Sequence, residues 1–549
     1  MRILLLSMPD SFEHTPALTM RMPNGALGSI AGNVGPGHSA AIADLILVQQ
    51  SVQSTVERLL RELQPEVVGL SIMTFQRRTA LRLVRLIRRI LPSVTVVAGG
   101  YDPSLAPEAY AAPSSGIDYI VRGEGERTFA DLLAAITEGR NPAGIPGLSF
   151  RLPHAPEAGF QHGPSRPVTP LASDKLELPN RGARVLSGYT FLGRPIDVVE
   201  TSRGCTYDCS FCSIIEMRGR NFHVFDFTRV LADIADARAR GARAIFIVDD
   251  NITLDVRRFE ALCRAIVDAG LNDIHYIVQG MTSSIAAHGA TLAPLMRQAG
   301  FRYVFLGIEN VLDDDLAFLR ASAKNAQRHE GRRTGNASIA AIDALHREGL
   351  NVVGGLIVGN PDDTQDSIEA NLAFARQYVD WPYIQHPTPY PGTPMTDDFR
   401  RRGLIEHDRM EEYDGTTAVV RTTHMDAADV EFLRWKAERW MKLRHLPSVL
   451  RAYPGFVLRH APRMLAHTFR GTTWRSALGL EGAREVFNRY KRLRAQEREY
   501  VAEPPEDDTI GAYGGSAIRV DLPSWVRAGG GVHSGRDAGK SRGEWHAHH

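Results

Sequence analysis

The sequence predicts a multidomain α/β protein: a parallel-sheet domain, then a partial β/α barrel, then a helical C-terminal region. Short apolar runs alternate with amphipathic stretches along roughly the first 400 residues, a pattern typical of parallel sheets that helices cover on both faces. A stretch rich in Pro, Gly and His separates two such runs, and after about residue 396 the pattern becomes helical and basic.

Composition excludes several classes of protein. The chain has 549 residues, 43% of them hydrophobic and 23% charged, which favours three or four packed domains over disorder. A net charge of +1 does not indicate a nucleic-acid binder. Four cysteines are too few for a disulfide scaffold. No apolar run reaches the roughly 18–20 residues of a membrane span, and the N-terminus lacks a signal-peptide core. We therefore expect a soluble cytoplasmic protein.

The first domain, over residues 1–146, is predicted to be a doubly wound sheet. Its predicted strands are Arg2–Ser7, Ser39–Leu45, Glu66–Met73, Val94–Gly100 and Asp118–Val121, and its helices cover residues 56–63, 80–91 and 128–136. Ligands of such sheets lie beyond the carboxyl ends of the strands. Those ends carry small or polar residues that let a ligand approach the backbone, namely Ser71, Gly99, Gly100 and the turn Gly123–Glu126.

Residues 147–194 are predicted to be a linker, because they show no sustained periodicity. Residues 195–395 then contain six strand–helix units, which fit a partial barrel better than an eight-fold one of about 250 residues. The six predicted strands are Ile196–Thr201, Ala244–Val248, His275–Val278, Tyr303–Ile308, Val352–Val358 and Ile384–Thr388.

The C-terminal region, residues 396–500, is helical and basic. Between Glu431 and Tyr500 there are 16 Lys and Arg against 6 Glu and no Asp. These helices also carry Trp, Leu and Met, so one interpretation is peripheral contact with an anionic membrane. The other is that each helix packs one face on its neighbours and exposes the other to solvent. Residues 501–549 have the composition of a disordered tail.

The most informative motif is TSRGCTYDCSFCS, which directly follows the first predicted barrel strand. Its cysteines, Cys205, Cys209 and Cys212, are spaced C-x3-C-x2-C. Three thiolates on so short a loop can hold three irons of a cubane iron–sulfur cluster and leave the fourth iron open to a substrate. Structural zinc is the alternative, with His223 as a fourth ligand. Cys263 falls among apolar helical positions and is expected to be a core residue.

With Phe211 before its last cysteine, this loop resembles that of the radical S-adenosylmethionine (SAM) enzymes. Four later motifs resemble that family's in the expected order: FIVDDN, LGIEN, GLIVG and TPYPGTP. The resemblance implies cofactor contacts by Phe211, Asp249, Asp250, Glu309, Gly355 and Gly359. As alternatives, the two aspartates could cap the following helix, and Glu309 could form a structural ion pair.

The first domain resembles the Rossmann-like cobalamin-binding domain that precedes the barrel in one radical SAM subgroup. The D-x-H-x-x-G signature of an axial histidine is missing, because Asp10 and His14 have the wrong spacing and no glycine follows. Cobalamin without an axial histidine is therefore expected, and a sheet that binds no cofactor is the alternative.

This resemblance implies three cofactors: a [4Fe-4S] cluster, SAM and cobalamin. It implies reductive cleavage of SAM with electrons from a flavodoxin- or ferredoxin-type donor, and methyl transfer to carbon on a small or lipid-like metabolite. An oxidative cyclase or rearrangement enzyme is the alternative of the same class. A zinc- or cobalamin-binding protein without catalytic activity is the alternative of another class.

Overall fold

A computed structural model describes residues 1–12, 18–152, 154–171, 176–329 and 332–502. His14 and the predicted tail beyond residue 502 lie outside the described residues. The strands are β1 Arg2–Ser7, β2 Met20–Arg21, β3 Ser39–Asp44, β4 Val67–Ser71, β5 Thr95–Gly99, β6 Tyr119–Val121, β7 Leu148–Arg151, β8 Phe160–His162, β9 Thr190–Phe191, β10 Arg194–Val199, β11 Ser202–Arg203, β12 His223–Val224, β13 Ala244–Ile247, β14 His275–Met281, β15 Phe301–Glu309, β16 Ala326–His329, β17 Arg332–Asn336, β18 Asn351–Ile357 and β19 Trp381–Gln385.

The α-helices alternate with these strands and then dominate the C-terminal region. They are α1 Gly25–Gly32, α2 Val52–Leu63, α3 Arg77–Ile90, α4 Tyr101–Leu105, α5 Gly125–Thr137, α6 Ser213–Arg218, α7 Phe227–Ala239, α8 Val256–Asp268, α9 Thr282–Gln298, α10 Asp313–Phe318, α11 Ser322–Asn325, α12 Ser338–Arg347, α13 Gln365–Tyr378, α14 Pro394–Arg402, α15 Ala427–Ala452, α16 Pro454–Thr468, α17 Trp474–Ala477 and α18 Ala483–Glu497.

The first sheet has the strand order β3-β1-β4-β5-β6-β7-β8. Strands β3, β1, β4, β5 and β6 are parallel, which confirms the predicted sheet. Their apolar residues are buried on both faces of the sheet, as the near-continuous hydrophobic runs require. The carboxyl ends of all five parallel strands lie at one edge.

The segment predicted as a linker contributes strands to both sheets. Strands β7 and β8 extend the first sheet in antiparallel register, and β9 pairs with β10 of the second. Each is too short, at two to four residues, for its periodicity to stand out from the surrounding Pro and Gly. The domain boundaries drawn around this segment stay a prediction.

The second sheet has the order β19-β18-β15-β14-β13-β10-β9-β2. Its six strands from β10 to β19 are parallel, which confirms the predicted partial barrel. The last strand covers Trp381–Gln385, three residues before its predicted position. Pro387 lacks an N–H for a sheet hydrogen bond and ends the strand, whereas Pro382 is tolerated because β19 is an edge strand.

The C-terminal region is held to the barrel and to the first domain by buried arginines. Arg434 is almost fully buried and donates to His386 Nε2 at 3.0 Å and to the Thr416 carbonyl at 2.7 Å. Asp414 is fully buried and accepts from Arg494 and Arg498, and these cations hold its pKa well below its usual range despite its burial. No helix of the described residues combines the length and apolar character that crossing a bilayer requires.

Asp10 follows β1 at the carboxyl edge of the first sheet and is 8% exposed. Its Oδ1 accepts from Thr79 Oγ1 at 3.1 Å, whereas its Oδ2 has no hydrogen-bond partner among the described residues. Burial raises the pKa of this carboxyl to about 7. The folded state therefore binds the proton more tightly than the unfolded state, and the resulting stability is lost as the pH rises through 7.

We expect Asp10→Asn to raise the thermal midpoint, because the amide keeps the acceptor for Thr79 and never ionises. The gain in the free energy of unfolding should grow between pH 4 and pH 7 and then level off. A pKa raised by about three units corresponds to a gain of up to about 4 kcal/mol. Thermal unfolding from pH 4 to pH 8 measures it, with the exposed Asp268→Asn as control. An equal gain at all pH values would contradict the buried-acid interpretation.

Candidate active site

The cysteine loop follows β10 at the carboxyl end of the barrel. Ser210 anchors its centre, because its N–H donates to the Leu319 carbonyl at 3.0 Å and its carbonyl accepts from the Met395 N–H at 2.9 Å. The loop turns at Gly204, whose φ is +90°. A Cβ at this position would lie only 2.4 Å from the Asn221 carbonyl oxygen. Glycine is therefore required directly before Cys205.

All three loop cysteines line one cavity of about 480 Å³ inside the barrel. Burial raises the pKa of the Cys209 thiol to about 12 and also raises that of Cys212. Bare thiolates are thus disfavoured here, and a positively charged metal group is the kind of ligand that would hold them deprotonated. Asn251 Nδ2 lies 4.0 Å from Cys205 Sγ, and donors to a ligating sulfur tune an iron–sulfur cluster.

The geometry does not favour the zinc alternative. Within the described chain, no three His, Cys, Asp or Glu side chains converge as the ligands of a single metal ion do. His223 lies opposite Arg203 in the ribbon of β11 and β12 and is not among the cavity-lining residues. Cys263 is fully buried in the barrel core, as expected. A cubane fits better, because each thiolate binds a different iron.

The two aspartates after β13 have different roles. Asp250 lines the cavity and accepts from the Gly204 N–H at 2.7 Å. Asp249 is fully buried outside the cavity lining and accepts from the Thr201 N–H and the Ser202 hydroxyl, both at 2.6 Å. The Asp249 carboxylate thus fixes the start of the cysteine loop, and its expected contact with a cofactor stays a prediction.

Glu309 and Lys324 form an ion pair on the cavity wall. Lys324 Nζ lies 2.6 Å from Glu309 Oε1, and both side chains line the cavity. Glu309 ends β15 at a bulge with φ of +59°, a backbone conformation that is costly for a residue other than glycine. Burial lowers the pKa of Lys324, but the nearby Glu309 and Cys209 raise it by more. The pKa therefore lies above its usual value, which keeps the amine charged beside the cysteines.

The glycine motif after β18 is only partly at the cavity. Gly355 lines it, where a Cβ would lie 2.9 Å from the Phe305 ring. Gly359 is outside the lining, with φ of +96°, and a Cβ there would lie 2.7 Å from Val430 of α15. This glycine permits close packing of the C-terminal helix α15, and its expected contact with a cofactor stays a prediction. Phe211 lines the cavity, and its expected contact with a cofactor stays a prediction.

A buried ion network connects the cysteine loop to the first domain. Arg203 donates to Glu126 at 2.7 Å and to Glu200 at 2.8 Å, and Arg218 donates to Glu124 at 2.5 Å. Burial alone would raise the pKa of Glu126, but the Arg203 guanidinium lowers it to about 2. The two glutamates of the Gly123–Glu126 turn therefore pair with cations of the barrel domain, and the approach of a ligand to this turn stays a prediction.

Ser71, Gly99 and Gly100 lie at the carboxyl edge of the first sheet, outside the lining of the barrel cavity. Gly100 has φ of +102°, and a Cβ there would lie 2.7 Å from the Ile72 carbonyl oxygen. The next residue, Tyr101, begins α4, which packs against α6 directly after Cys212. The ligand edge of the first sheet thus faces the cysteine loop.

The rest of the cavity is an apolar channel along the barrel interior. Inward-facing side chains of the five strands β13, β14, β15, β18 and β19 line it down to the amino ends of the strands, where Tyr303 and Trp381 lie. The N-terminal chain closes one side through Met20 and Met22. The other apolar lining residues include Phe191, Phe246, Ile277, Phe305 and Val353. One end of the cavity therefore carries thiols and charges, and the other is hydrophobic.

Sequence reasoning missed Lys324, Asn251, Arg218 and the partners of Arg203. Lys324 lies on the four-residue helix α11, within no motif, and no sequence signal pointed to it. Asn251 ends the FIVDDN segment, so its place at a strand end was the available signal. The five acidic and basic residues of the network include partners that are 94 positions apart in sequence.

Two protein families match the chain. The B12 binding domain family matches residues 36–133, and the radical SAM superfamily matches residues 199–375. The chain is 28% identical to the uncharacterized methyltransferase PH0819 of Pyrococcus horikoshii, over 85% of this chain and 99% of that protein. It is 25% identical to the anaerobic magnesium-protoporphyrin IX monomethyl ester cyclase of Rubrivivax gelatinosus, over 73% of this chain and 72% of that protein. It is 26% identical to the hopanoid C-3 methylase of Methylococcus capsulatus, over 64% of each chain.

Two solved structures share the fold. The radical SAM methyltransferase TsrM from Kitasatospora setae has a TM-score of 0.58 at 21% identity, over 73% of this chain and 78% of TsrM. The cobalamin-dependent SAM radical enzyme OxsB has a TM-score of 0.62 at 15% identity, over 90% of this chain and 76% of OxsB. Along this chain the B12 binding domain precedes the radical SAM domain, and the cysteine loop lies within the latter. The chain is therefore a radical SAM enzyme with an N-terminal B12-binding domain.

Proposed function

We propose that this enzyme transfers a methyl group from SAM to a carbon atom of an apolar, lipid-like metabolite. The observation that carries the proposal is the single cavity that joins three cysteines and an ion pair at one end to an apolar channel at the other. Methyltransferases among the relatives support the reaction class.

The side chains present fit the expected cofactors. When bound, a [4Fe-4S] cluster supplies the electron that cleaves SAM, and cobalamin supplies a carrier for the methyl group. Cys205, Cys209 and Cys212 would hold the cluster by three irons. Ser71 and the Gly99–Gly100 backbone would receive cobalamin, because they leave the sheet edge facing the cysteine loop free of bulky side chains.

The charged residues of the cavity would hold SAM at the open iron. Glu309 offers a carboxylate to an amino or ribose hydroxyl group, and Lys324 offers an ammonium group to a carboxylate. Their mutual contact at 2.6 Å fixes both side chains before SAM binds. Asp250 and Gly355 complete this end of the cavity, and the apolar walls exclude water from it.

The channel favours an apolar substrate. Aromatic and aliphatic side chains predominate in it, and Gln279 and Gln385 add only neutral hydrogen-bonding groups, so a charged metabolite would lose its hydration without gaining an oppositely charged partner. The hopanoid C-3 methylase is a relative whose name states a lipid substrate. We propose that a small or lipid-like molecule enters the channel with its apolar part and presents one carbon to the cysteine end.

An oxidative cyclase is the second candidate, because a cyclase relative is 25% identical over 72% of its length. The same cavity could hold a ring-closing reaction, since both reactions need SAM and an electron. We propose that a flavodoxin- or ferredoxin-type protein delivers this electron in the cytoplasm.

Cys209→Ala should abolish cluster assembly and SAM cleavage together, because only two thiolates would remain for three irons. After anaerobic reconstitution, iron and sulfide should fall from about four of each per chain to near zero. Cys263→Ala is the matched control and should keep both. Zinc without sulfide in the unmodified protein would favour the non-catalytic alternative, and loss of iron in the Cys263 variant would show that the ligand set is misassigned.

Lys324→Met should weaken SAM binding at least about tenfold while leaving the iron content unchanged, because it leaves Glu309 buried without its cation. Equilibrium binding of SAM to the reconstituted protein measures this effect. Lys324→Arg should retain most of the affinity, and the exposed Lys436→Met is a neutral control. Unchanged SAM affinity in Lys324→Met would contradict the role given to this pair.

Methyl-labelled SAM distinguishes the two reactions. The reconstituted holoenzyme with cobalamin, a reductant and an apolar substrate should place the label on a carbon of the product. Methyl transfer should also release S-adenosylhomocysteine, whereas a cyclase would leave the product unlabelled, form no S-adenosylhomocysteine and remove hydrogen from the substrate. Mass spectrometry of the product and of methionine from the same reaction reads both outcomes.

A further inference from the structure

The C-terminal helices carry an unusual concentration of exposed apolar side chains. We define residues 440–480 as the basic apolar segment, which comprises the end of α15, all of α16 and α17, and the turn that follows. Of eleven large apolar side chains exposed in the described chain, eight lie in this segment. They are Trp440, Leu450, Leu458, Leu465, Phe469, Trp474, Leu478 and Leu480. Exposed apolar residues concentrated in this way indicate an interaction surface.

All the charged side chains of the segment are basic. Its 41 residues include seven Lys or Arg and three His, and no Asp or Glu. The whole chain, in contrast, has almost equal numbers of acidic and basic residues. The partner of this surface must therefore accept apolar side chains and carry negative charge.

Helix α16 shows how the two properties combine. Its inner face buries Phe456 and Val457, and its outer face exposes Leu458 and Leu465, which are seven residues apart and so lie on the same side. Arg459 and Arg463 are exposed between these leucines. This arrangement suits a helix that lies flat at a bilayer surface, where leucines enter the acyl region and arginines contact phosphates.

The inner face of the same helix pair closes the hydrophobic end of the barrel. The Tyr453 ring, between α15 and α16, lies 6.4 Å from the rings of Tyr303 and Phe191, which both line the cavity. Phe456 packs in the same cluster. One layer of side chains therefore separates the basic apolar segment from the end of the apolar channel.

We propose that the basic apolar segment binds the surface of an anionic phospholipid bilayer. A second copy of the chain fits less well, because an isologous contact would bring the cations of both segments together without acidic partners. On the proposed function, the bound membrane would lie next to the channel end that receives an apolar substrate. The membrane binding itself does not depend on catalysis.

Vesicle sedimentation of the full-length holoenzyme tests the proposal without substrate or turnover. The protein should bind vesicles of phosphatidylcholine containing phosphatidylglycerol, and binding should be lost on vesicles of phosphatidylcholine alone and reduced by 1 M salt, where charges are screened beyond about 3 Å. Leu458→Asp combined with Trp474→Asp should reduce the bound fraction at least about tenfold. Both side chains are at least 70% exposed, so the fold should persist.

The matched control is Val267→Asp combined with Ile339→Asp, which removes two exposed apolar side chains and adds two acids elsewhere. It should bind anionic vesicles like the unmodified protein. Failure of the unmodified protein to bind, or equal loss in both double variants, would overturn the proposal. Sedimentation velocity gives the third outcome: self-association that only the Leu458 and Trp474 substitutions abolish would show that a second copy occupies this surface.

SAM cleavage separates this inference from the proposed function. The Leu458 and Trp474 double variant should cleave SAM at the rate of the unmodified holoenzyme, because both positions are remote from the cysteine loop. Vesicle binding with no methyl transfer would refute the proposed function alone. Methyl transfer without vesicle binding would refute the membrane inference alone.

Discussion

Arg203 is the residue on which the geometry of the site depends. It lies two positions before Cys205, is 7% exposed, and donates to Glu200 of its own loop and to Glu126 of the first domain. A buried guanidinium is costly unless it is paired, and Glu126 loses its cation if the domains separate, whereas the Glu200 contact stays within the loop. The ion network therefore couples the position of the cysteine loop to the ligand edge of the first sheet. Burial raises the pKa of Glu200 to about 7, so the network binds a proton at neutral pH more readily than an exposed glutamate would.

The cavity combines a polar, charged end with a largely apolar end. Its upper end concentrates thiols, a carboxylate and an ammonium group, whereas the barrel below offers aromatic and aliphatic walls. Charged groups interact more strongly where water is excluded, so the apolar walls also strengthen the Glu309–Lys324 pair. The C-terminal helices complete this design, because their inner face closes the apolar end and their outer face is both basic and apolar.

Two residues of the barrel motifs, Asp249 and Gly359, position neighbouring parts of the scaffold. Asp249 binds the Thr201 and Ser202 donors, and so orients the strand end from which the cysteine loop departs. Gly359 lets Val430 approach the carboxyl end of β18, and so allows the start of α15 to pack closely against the barrel. In both cases the motif marks a position next to the site, and the side chain or backbone turns toward the scaffold.

The sequence alone determined the features that depend on near neighbours in the chain. Cysteine spacing, the apolar strand runs and the order of the two α/β domains follow from local pattern, because a strand or loop is specified by consecutive residues. It did not determine which charged side chains meet. Lys324 and Glu309 are 15 residues apart, and Arg203 and Glu126 are 77 apart, so only the tertiary structure brings them together. The direction of Asp249, the short strands of residues 147–194 and the exposure of α16 were likewise decided by packing, because burial depends on what the rest of the chain covers.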